Sequence, residues 1–253
     1  MLDKQSVITH SPSIRSGWRS LLCVLAVVGL FSIAGCLSPA RAAVGDRISV
    51  CGAEFRAGGK RVWLNGANAP WHAWNDFGGH YDAGWWDKHF EELHANGINA
   101  ARVWISCNGD AGINIDTNGL VTVGISMGPK YQSGRCGVDL FSDAVLQAKA
   151  GGTPLARLDF YSPHHYDWMT RRYGNPFSES PAAYGLDGGK PAMIGECPAK
   201  GTAGRSSTQD YEDAYRNGWQ GVQGWTSNGL DANGGLEKLG PATRAFRNNH
   251  SEF

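Results

Sequence analysis

The sequence predicts an α/β protein of the (β/α)8 TIM-barrel type, in which about six of the eight strands are visible. Short apolar runs alternate along the chain with stretches of helical periodicity, as is typical of parallel sheets. The strand starts lie about 22 to 38 residues apart, and a barrel averages about 31 residues per unit. The interval of about 22 residues is too short for a parallel crossover with a helix. The predicted barrel is therefore incomplete.

The composition favours a domain that handles neutral ligands. Of the 253 residues, 42% are hydrophobic, which is enough for a substantial core. Lys plus Arg and Asp plus Glu number 23 each, so the basic character typical of nucleic-acid-binding proteins is missing. The 35 glycines have no triplet period, and ten tryptophans accompany them. This mixture suits a site that grips the flat faces of sugars.

Residues 1–42 are predicted to be an export signal. Basic residues precede an apolar stretch from Leu21 to Leu37 that is too short and interrupted for a comfortable membrane span. Two processing routes remain open: cleavage at the A-x-A sequence at 40–42, or lipidation at Cys36, which ends a lipobox-like sequence. Either route makes the chain extracytoplasmic, secreted or periplasmic or anchored by a lipid, with a barrel domain over residues 43–253.

The strands are predicted from short apolar runs bounded by turn residues. Helical faces lie between several of them and end at Asn96-Gly97 and at Gly151-Gly152. Another helix begins at the capping box from Ser206 to Gln209 and ends at Gly218. The helical faces consist of Trp86, Phe90 and Leu93, and of Val138, Phe141, Val145 and Ala148. The predicted strands are 61–66, 98–105, 120–125, 158–161, 192–195 and 221–225.

The short interval has a second interpretation. Residues 107–119 show no helical stripe, and Ile113 and Ile115 alternate with polar residues before the turn sequence at 118–119. A β-hairpin in which 120–123 returns antiparallel would also fit this pattern.

Four cysteines follow the signal. Exported chains form disulfides, and four cysteines allow three full pairings among which the sequence does not choose. No spacing of Cys and His predicts a zinc site. The four are Cys51, Cys107, Cys136 and Cys197.

Polar side chains follow two predicted strands, at the edge where the active sites of barrels lie. Glu196 comes directly after an apolar strand. His164, His165 and Tyr166 follow the strand before it. The glutamate could instead cap a turn, and the histidines could be buried or bind a metal, although adjacent histidines diverge. We expect the His and Tyr side chains to orient the carboxylate and a sugar hydroxyl.

Three further strands contribute candidates. Arg102 lies in an apolar strand, where a charge needs a partner such as a carboxylate at the barrel mouth. Trp225 ends the last strand and could stack on a sugar, although a core position is the alternative. Asn68, Trp71 and Trp74 follow the first strand and could line a sugar cleft or pack under the loop.

Five motifs in this order resemble glycoside hydrolase family 5, whose members are (β/α)8 retaining β-glycanases that include cellulases and β-mannanases. They are residues 59–68, 101–104, His164-x-Tyr166, 194–196 and Trp225, and the resemblance covers about residues 48–250. It implies that Glu196 is the catalytic nucleophile, that Arg102 holds it ionised, and that Trp225 floors the sugar subsite. The residues expected to bind substrate are Arg102, His164, Tyr166, Trp225, Asn68 and Trp71.

One catalytic element of that family has no counterpart. Its general acid/base is the Glu of an Asn-Glu pair that closes strand four, and this chain contains no Asn-Glu dipeptide. If 98–105 is strand two and 121–127 strand five, strands three and four are missing, roughly 70 residues at about 31 per unit. The join then falls near 120–123. The candidate substitutes by loop proximity are Asp110, Asp167 and Glu179.

The resemblance implies a β-1,4-glycanase acting on cellulose or mannan. Retaining hydrolysis needs two carboxylates about 5 to 5.5 Å apart, so we expect little or no hydrolysis of polysaccharide by this chain. The alternatives are a non-catalytic extracytoplasmic carbohydrate-binding protein that uses its tryptophans, and a metal-dependent hydrolase built on His164 and His165, which no ligand spacing supports. We expect no cofactor, no metal and no nucleic-acid partner.

Overall fold

A computed structural model of the protein describes residues 47–104, 119–125, 140–186, 189–229, 231 and 234–253. Strands, α-helices and two 3-10 turns, Asp76–Gly78 and Pro176–Ser178, occur in these ranges. The helices are α1 (Ala83–Ala95), α2 (Asp143–Lys149), α3 (Asp167–Tyr173), α4 (Ser207–Arg216) and α5 (Leu236–Asn249). The strands are β1 (Ser49–Cys51), β2 (Glu54–Ala57), β3 (Lys60–Val62), β4 (Leu64–Asn68), β5 (Ala100–Arg102), β6 (Gly124–Ile125), β7 (Ser162–Pro163), β8 (Ile194–Pro198) and β9 (Gly221–Trp225).

Six parallel strands form an arc. β5, β4, β9 and β8 pair in that order, and β6 pairs in parallel with β7. Two parallel bridges, Tyr161 to Ala192 and His164 to Glu196, connect β7 with β8. In a barrel the first strand lies between the second and the last, so this is the order expected of strands two, one, eight, seven, six and five. Over the described ranges β5 and β6 do not pair with each other, which confirms the prediction of an incomplete barrel.

Among the predicted strands only 221–225 has the predicted bounds; β5 is shorter than the predicted 98–105, and β8 begins and ends later than the predicted 192–195. The run at 61–66 is divided between β3 and β4, because Trp63 is fully buried where the chain leaves β3 and enters the arc. The strand expected at 158–161 is displaced, since the parallel pairing runs from 161 to 164. Of 120–125 only β6 is a strand. The alternative of an antiparallel return at 120–123 stays a prediction, because the residues with which this segment would pair, 113–115, lie outside the described residues.

An antiparallel meander of β1, β2 and β3 precedes the arc and was not predicted. Its second turn contains Gly58 and Gly59, whose φ angles are 54° and 78°. Two consecutive residues with positive φ define a type I′ turn, which strongly favours a Gly-Gly pair. Phe55 of the meander is buried and packs edge-on against Phe160, with ring centroids 5.1 Å apart. The meander thereby covers the end of the arc at which β7 begins.

The helix signals are confirmed at α1 and α4. Asp82 caps α1 by accepting a hydrogen bond from Trp85 N, and α1 ends before Asn96. Its buried face differs from the prediction, because Phe90 is 41% exposed and His89 is buried in its place. His89 Nε2 lies 2.9 Å from Ser227 Oγ, a polar partner that the periodicity of α1 does not reveal.

The capping box is present at α4, where Ser206 and Gln209 exchange their hydrogen bonds. Gly218 follows with φ 89°, as predicted for the end of this helix. The helix expected before residues 151–152 is α2, but none of its residues is buried. Of the predicted apolar stripe, Phe141 before the helix and Val145 within it are half-buried, and Ala148 is exposed. Val138, the first residue of that stripe, lies outside the described residues.

The core lies between the arc and helices α4 and α5. Trp63 is fully buried and stacks on Phe246 with ring centroids 4.0 Å apart. Its indole N–H donates to Trp219 O over 2.9 Å. Tyr211 of α4 is also fully buried, and its hydroxyl donates to Gly66 O over 2.8 Å. The aromatic core therefore fastens both helices to β4 and β9.

The cysteines do not form a fully paired set. Cys51 is disulfide-bonded, whereas Cys197 on β8 is buried and free. All three full pairings of the four cysteines are therefore excluded. Cys107 and Cys136, like residues 1–42 with Cys36, lie outside the described residues. Within the part of the chain that is described, no helix is long and apolar enough to cross a membrane.

Candidate active site

Glu196 lies on β8 at the edge where the parallel strands end. Its side chain is 11% exposed, and Arg102 Nη1 lies 2.5 Å from Oε1. The hydroxyl of Tyr166 donates to Oε2 over 3.0 Å, and His164 Nδ1 lies 3.3 Å from the same oxygen. The ends of β5, β7 and β8 thus bring one carboxylate and three of its expected partners into direct contact.

The neighbours of Glu196 control its ionisation. Burial is the largest single effect and raises the pKa of the carboxyl, but the hydrogen bonds and charges of His164 and Arg102 together lower it by more. The pKa is therefore below its ordinary value, and the group is ionised at neutral pH. An ionised carboxylate at this position can act as a nucleophile.

Tyr166 is a permanent donor to this carboxylate. Burial, followed by the charge of Glu196 and the hydrogen bond to it, raises the pKa of the Tyr166 phenol far above its ordinary value. The phenol therefore keeps its proton at neutral pH, where Glu196 is ionised. Together with Arg102, it holds both oxygens of the carboxylate in place.

Asn68 fixes the position of Arg102. Its Oδ1 accepts a hydrogen bond from Arg102 Nη1 over 2.9 Å. Its Nδ2 donates to the carbonyl oxygens of Gly195 at 3.0 Å and Gln223 at 3.1 Å. The side chain is fully buried among β4, β8 and β9. Asn68 therefore acts on the site through Arg102 and through the strands it connects.

A glycine makes room for His164. A Cβ atom at Gly124 on β6 would lie 2.7 Å from His164 Nε2, closer than real Cβ atoms approach. The ring can therefore lie over β6 and direct Nδ1 at Glu196 only because residue 124 carries no side chain. This close approach explains why β6, although only two residues long, belongs to the site.

Four indole rings form a second group at the same edge, which we call the indole cluster: Trp71, Trp74, Trp104 and Trp225. The centroid of Trp71 lies 5.0 Å from those of Trp74 and Trp104 and 6.5 Å from that of Trp225. Trp104 and Trp225 are 5.9 Å apart. The Arg102 guanidinium lies 5.7 Å from the Trp104 ring, so the indole cluster adjoins Glu196 and the side chains bonded to it. Trp74 is 56% exposed.

His165 does not join the site. It is fully buried, and its Nε2 lies 3.1 Å from Thr170 Oγ1. Successive residues of an extended chain point to opposite sides, which separates it from His164. Among the described residues no group of three or more His, Cys, Asp or Glu could hold a metal ion.

The expected substitutes for the acid/base do not contact Glu196. Asp167 accepts a hydrogen bond from Ala203 N over 2.8 Å. Glu179 is near the opposite edge, because its carbonyl oxygen accepts from the indole of Trp219, which lies just before β9 begins. Asp110 lies outside the described residues. Over the ranges that the structure describes, no other carboxylate is bonded to the Glu196 group.

Two residues at this edge were not predicted as part of the site. Trp104 belongs to the motif 101–104 but was not expected to bind substrate, yet its ring lies between Arg102 and the other rings of the indole cluster. Asp231 accepts a hydrogen bond from Trp225 Nε1 over 2.7 Å. No local sequence pattern indicates that an aspartate six residues after β9 bonds to the last residue of that strand.

We expect His165 to make the protein less stable in mild acid. Burial lowers the pKa of His165 to about 4, below the value of about 6.5 in the unfolded chain. Between these pH values the unfolded state binds more protons than the folded state. The contribution of His165 to the free energy of unfolding is therefore fully present above pH 6.5 and is lost as the pH is lowered towards 4. Urea unfolding at several pH values should show this loss, with an upper limit of roughly 3 kcal/mol.

His165→Gln should reduce that pH dependence, and His80→Gln, which changes an exposed histidine, should not. Burial also lowers the pKa of His89, so part of the dependence should persist in His165→Gln. An unchanged profile in this variant would contradict the assignment.

The fold and the site together define a class of protein. An ionised, hydrogen-bonded glutamate and a group of tryptophans at the carboxyl edge of a (β/α)-barrel sheet form the arrangement expected of a barrel protein that acts on or binds sugars. No family model matches the chain. More specific likenesses come from individual relatives.

Over 128 residues the chain is 37% identical to a mannan endo-1,4-β-mannosidase from Mytilus edulis, a match that covers 49% of this chain and 34% of that protein. The chain thus spans about a third of the length of this relative. Similar solved structures are an endo-1,4-β-mannanase from Eisenia fetida (TM-score 0.63, 18% identity, 80% of this chain and 95% of that one) and a β-1,4-D-mannanase from Cryptopygus antarcticus (TM-score 0.64, 15% identity, 80% and 94%). The predicted resemblance to barrel glycanases that include β-mannanases is confirmed, and the fold is that of these structures.

Proposed function

We propose that this chain carries the nucleophile half of a retaining β-1,4-mannanase site, with Glu196 as the nucleophile. The observation that carries the proposal is the pair of hydrogen bonds from Arg102 and Tyr166, which hold both oxygens of a buried, ionised carboxylate at the barrel edge. We propose mannan rather than cellulose as the substrate, because the relatives named above are mannanases.

The attacking group of the first chemical step is Glu196, which the site contains. A Glu196 oxygen attacks the anomeric carbon, the bond from that carbon to the leaving oxygen breaks, and a glycosyl ester of Glu196 forms. The sugar stacks on Trp225, whose indole lies at the same edge. Arg102 and Tyr166 keep the carboxylate aimed and prevent its rotation during the attack.

The second requirement is a proton for the leaving oxygen. In the family that the motifs resemble, the Glu of an Asn-Glu pair supplies this proton, and no such dipeptide occurs in the chain. General acid catalysis contributes about 10² to 10⁴ in rate. The same Glu next serves as the base that activates the water which hydrolyses the glycosyl ester. We therefore infer that this chain forms the ester from glycosides with good leaving groups, hydrolyses the ester slowly, and hydrolyses polysaccharide poorly.

Two substrates test this inference. With 2,4-dinitrophenyl β-mannoside the phenolate leaves without a proton, so we expect a rapid initial burst of dinitrophenolate as the ester forms. Slow turnover with retention of configuration should follow, because water must hydrolyse the ester without the help of a base. On mannan we expect turnover about 10² to 10⁴ slower than that of a mannanase with both carboxylates. The inference that the chain lacks its acid/base would be contradicted if mannan or carboxymethylcellulose released reducing sugar at the rate of an ordinary glycanase and Glu196→Gln abolished that release.

A second candidate function is non-catalytic binding of mannan outside the cytoplasm. The indole cluster favours it, because aromatic faces stack on sugars whether or not a reaction follows. In that case insoluble mannan should retain the protein equally well before and after Glu196→Ala, and the dinitrophenyl mannoside should remain intact. We also propose that the chain is exported from the cytoplasm, either by cleavage at 40–42 or with a lipid on Cys36. Measuring the mass of the mature N-terminus distinguishes the two routes.

A further inference from the structure

We propose that Asp231 is a positioning residue that sets the orientation of the Trp225 indole for sugar binding. The inference rests on the proposed function, because it assigns Trp225 to the floor of the sugar site. Asp231 Oδ2 accepts the indole N–H of Trp225 over 2.7 Å. A hydrogen bond to a charged acceptor is stronger and more directional than one to a neutral group.

The backbone beneath Trp225 is already fixed. Trp225 is in register with Asn68 on one side and with Pro198 on the other, and its carbonyl oxygen accepts a hydrogen bond from Ala199 N over 3.1 Å. Rotation about the side-chain bonds is therefore the remaining freedom of the ring. A platform for stacking must hold its face at one angle, so that freedom bears directly on affinity.

The neighbours of the ring restrict this rotation from two directions. Trp104 contacts the indole at an interplanar angle of 48°, and Trp71 does so nearly edge-on at 71°. These contacts leave the N–H edge, which Asp231 occupies. With the polar edge bonded and two flanks packed, a ring face can be offered to a ligand.

The loop that carries Asp231 is itself tied to the barrel. Gly235 N donates to Thr226 O over 2.6 Å, and Ser227 N donates to Asn68 O over 2.8 Å. A Cβ atom at Gly234 would collide with Thr226 Oγ1, so the two ends of the loop can approach only because residue 234 is glycine. The described residues on either side of Asp231 are therefore held to the barrel and to each other.

The charge of Asp231 also acts on Tyr166, which donates a hydrogen bond to Glu196. After burial and the contributions of Glu196 and Cys197, its charge is a further cause that raises the pKa of Tyr166. Two roles are therefore distinguishable: alignment of Trp225 through a hydrogen bond, and an electrostatic effect on Tyr166. Asp231→Asn separates them, because an amide oxygen can still accept the indole N–H but carries no charge.

The first test needs no sugar. The indole N–H resonance of Trp225 is identified in a ¹H–¹⁵N spectrum by its loss in Trp225→Phe. Asp231→Ala should shift this resonance, Asp231→Asn should shift it less, and Asp87→Ala, which removes an exposed aspartate on α1, should leave it in place. An unshifted Trp225 resonance in Asp231→Ala would overturn the proposal, whatever the protein binds.

The second test is calorimetric titration with mannohexaose. One hydrogen bond is worth about 1 kcal/mol, so Asp231→Ala should weaken binding about five-fold. Asp231→Asn should restore most of the affinity, and Asp231→Ala should cause no further loss in a Trp225→Ala background. An equal five-fold loss in that background, or an effect as large in Asp231→Asn as in Asp231→Ala, would overturn the positioning role. If the wild-type chain binds no mannohexaose, the proposed function fails, and the spectroscopic test still decides the role of Asp231.

Discussion

Replacing Glu196 with glutamine is expected to lower the rate of dinitrophenyl β-mannoside release by at least about a thousandfold. Glutamine is nearly isosteric and keeps a hydrogen-bond acceptor for Arg102, but it has no charge with which to attack the anomeric carbon. Removal of the nucleophile costs about 10⁶ in the serine protease subtilisin, and here it removes the one catalytic carboxylate that the proposal contains. Initial rates at saturating mannoside would measure the effect.

Glu91→Gln is the matched control, because it removes the same charge from an exposed position on α1. Its rate should equal that of the wild type. A 2-deoxy-2-fluoro mannosyl fluoride should label the wild-type chain and leave Glu196→Gln unlabelled, since the fluorine slows breakdown of the glycosyl ester. If the label attaches to another residue, or if Glu196→Gln retains its rate, Glu196 is not the nucleophile.

Trp63→Ala is expected to destabilise the protein by about 3 to 5 kcal/mol. The fully buried indole stacks on Phe246 of α5, and its N–H donates to Trp219 O. Alanine would leave a cavity between the arc and helices α4 and α5, as well as a buried carbonyl without this donor. Because stabilities of domains are about 5 to 15 kcal/mol, the loss should be visible in urea unfolding or prevent accumulation of folded protein.

Trp168→Ala is the control for this substitution. Trp168 lies on α3 and is 71% exposed, so its removal should change the free energy of unfolding by no more than about 0.5 kcal/mol. Trp63→Phe should fall between the two, because it retains one aromatic ring in the core and loses the N–H donor and the volume of the second ring. Equal stability of Trp63→Ala and Trp168→Ala would contradict the described core.

Much of the barrel could be predicted because its signals are local. The apolar runs that became β4, β5, β8 and β9 recur at intervals of one strand and one helix, and the capping box at Ser206 marks the start of α4 directly. The short interval near 120–123 predicted an incomplete barrel by the same reasoning. The meander was missed although Gly58 and Gly59 are a hairpin signal, because its strands are three or four residues long.

The site could be predicted only in part. Arg102 and Glu196 are separated by 94 residues, yet each was identifiable as a charge that needs a partner in or beside an apolar strand. The buried position of Asn68 was not predictable, because it depends on carbonyl groups of β8 and β9 that converge on β4. For the same reason His89 could not be chosen over Phe90 as the buried residue of α1, since the choice depends on Ser227 after β9.

By itself the sequence determined which chemical groups stand at the strand ends, the order of the strands, and the absence of an Asn-Glu pair. These follow from residue identity, periodicity and spacing, which are properties of the chain alone. Only the tertiary structure decided that His164 and not His165 faces Glu196, that Trp104 joins the other three indoles, and that Asp231 bonds Trp225. The physical reason is that such contacts depend on the curvature of the parallel sheet and on side-chain direction across neighbouring strands, neither of which a short segment of sequence specifies.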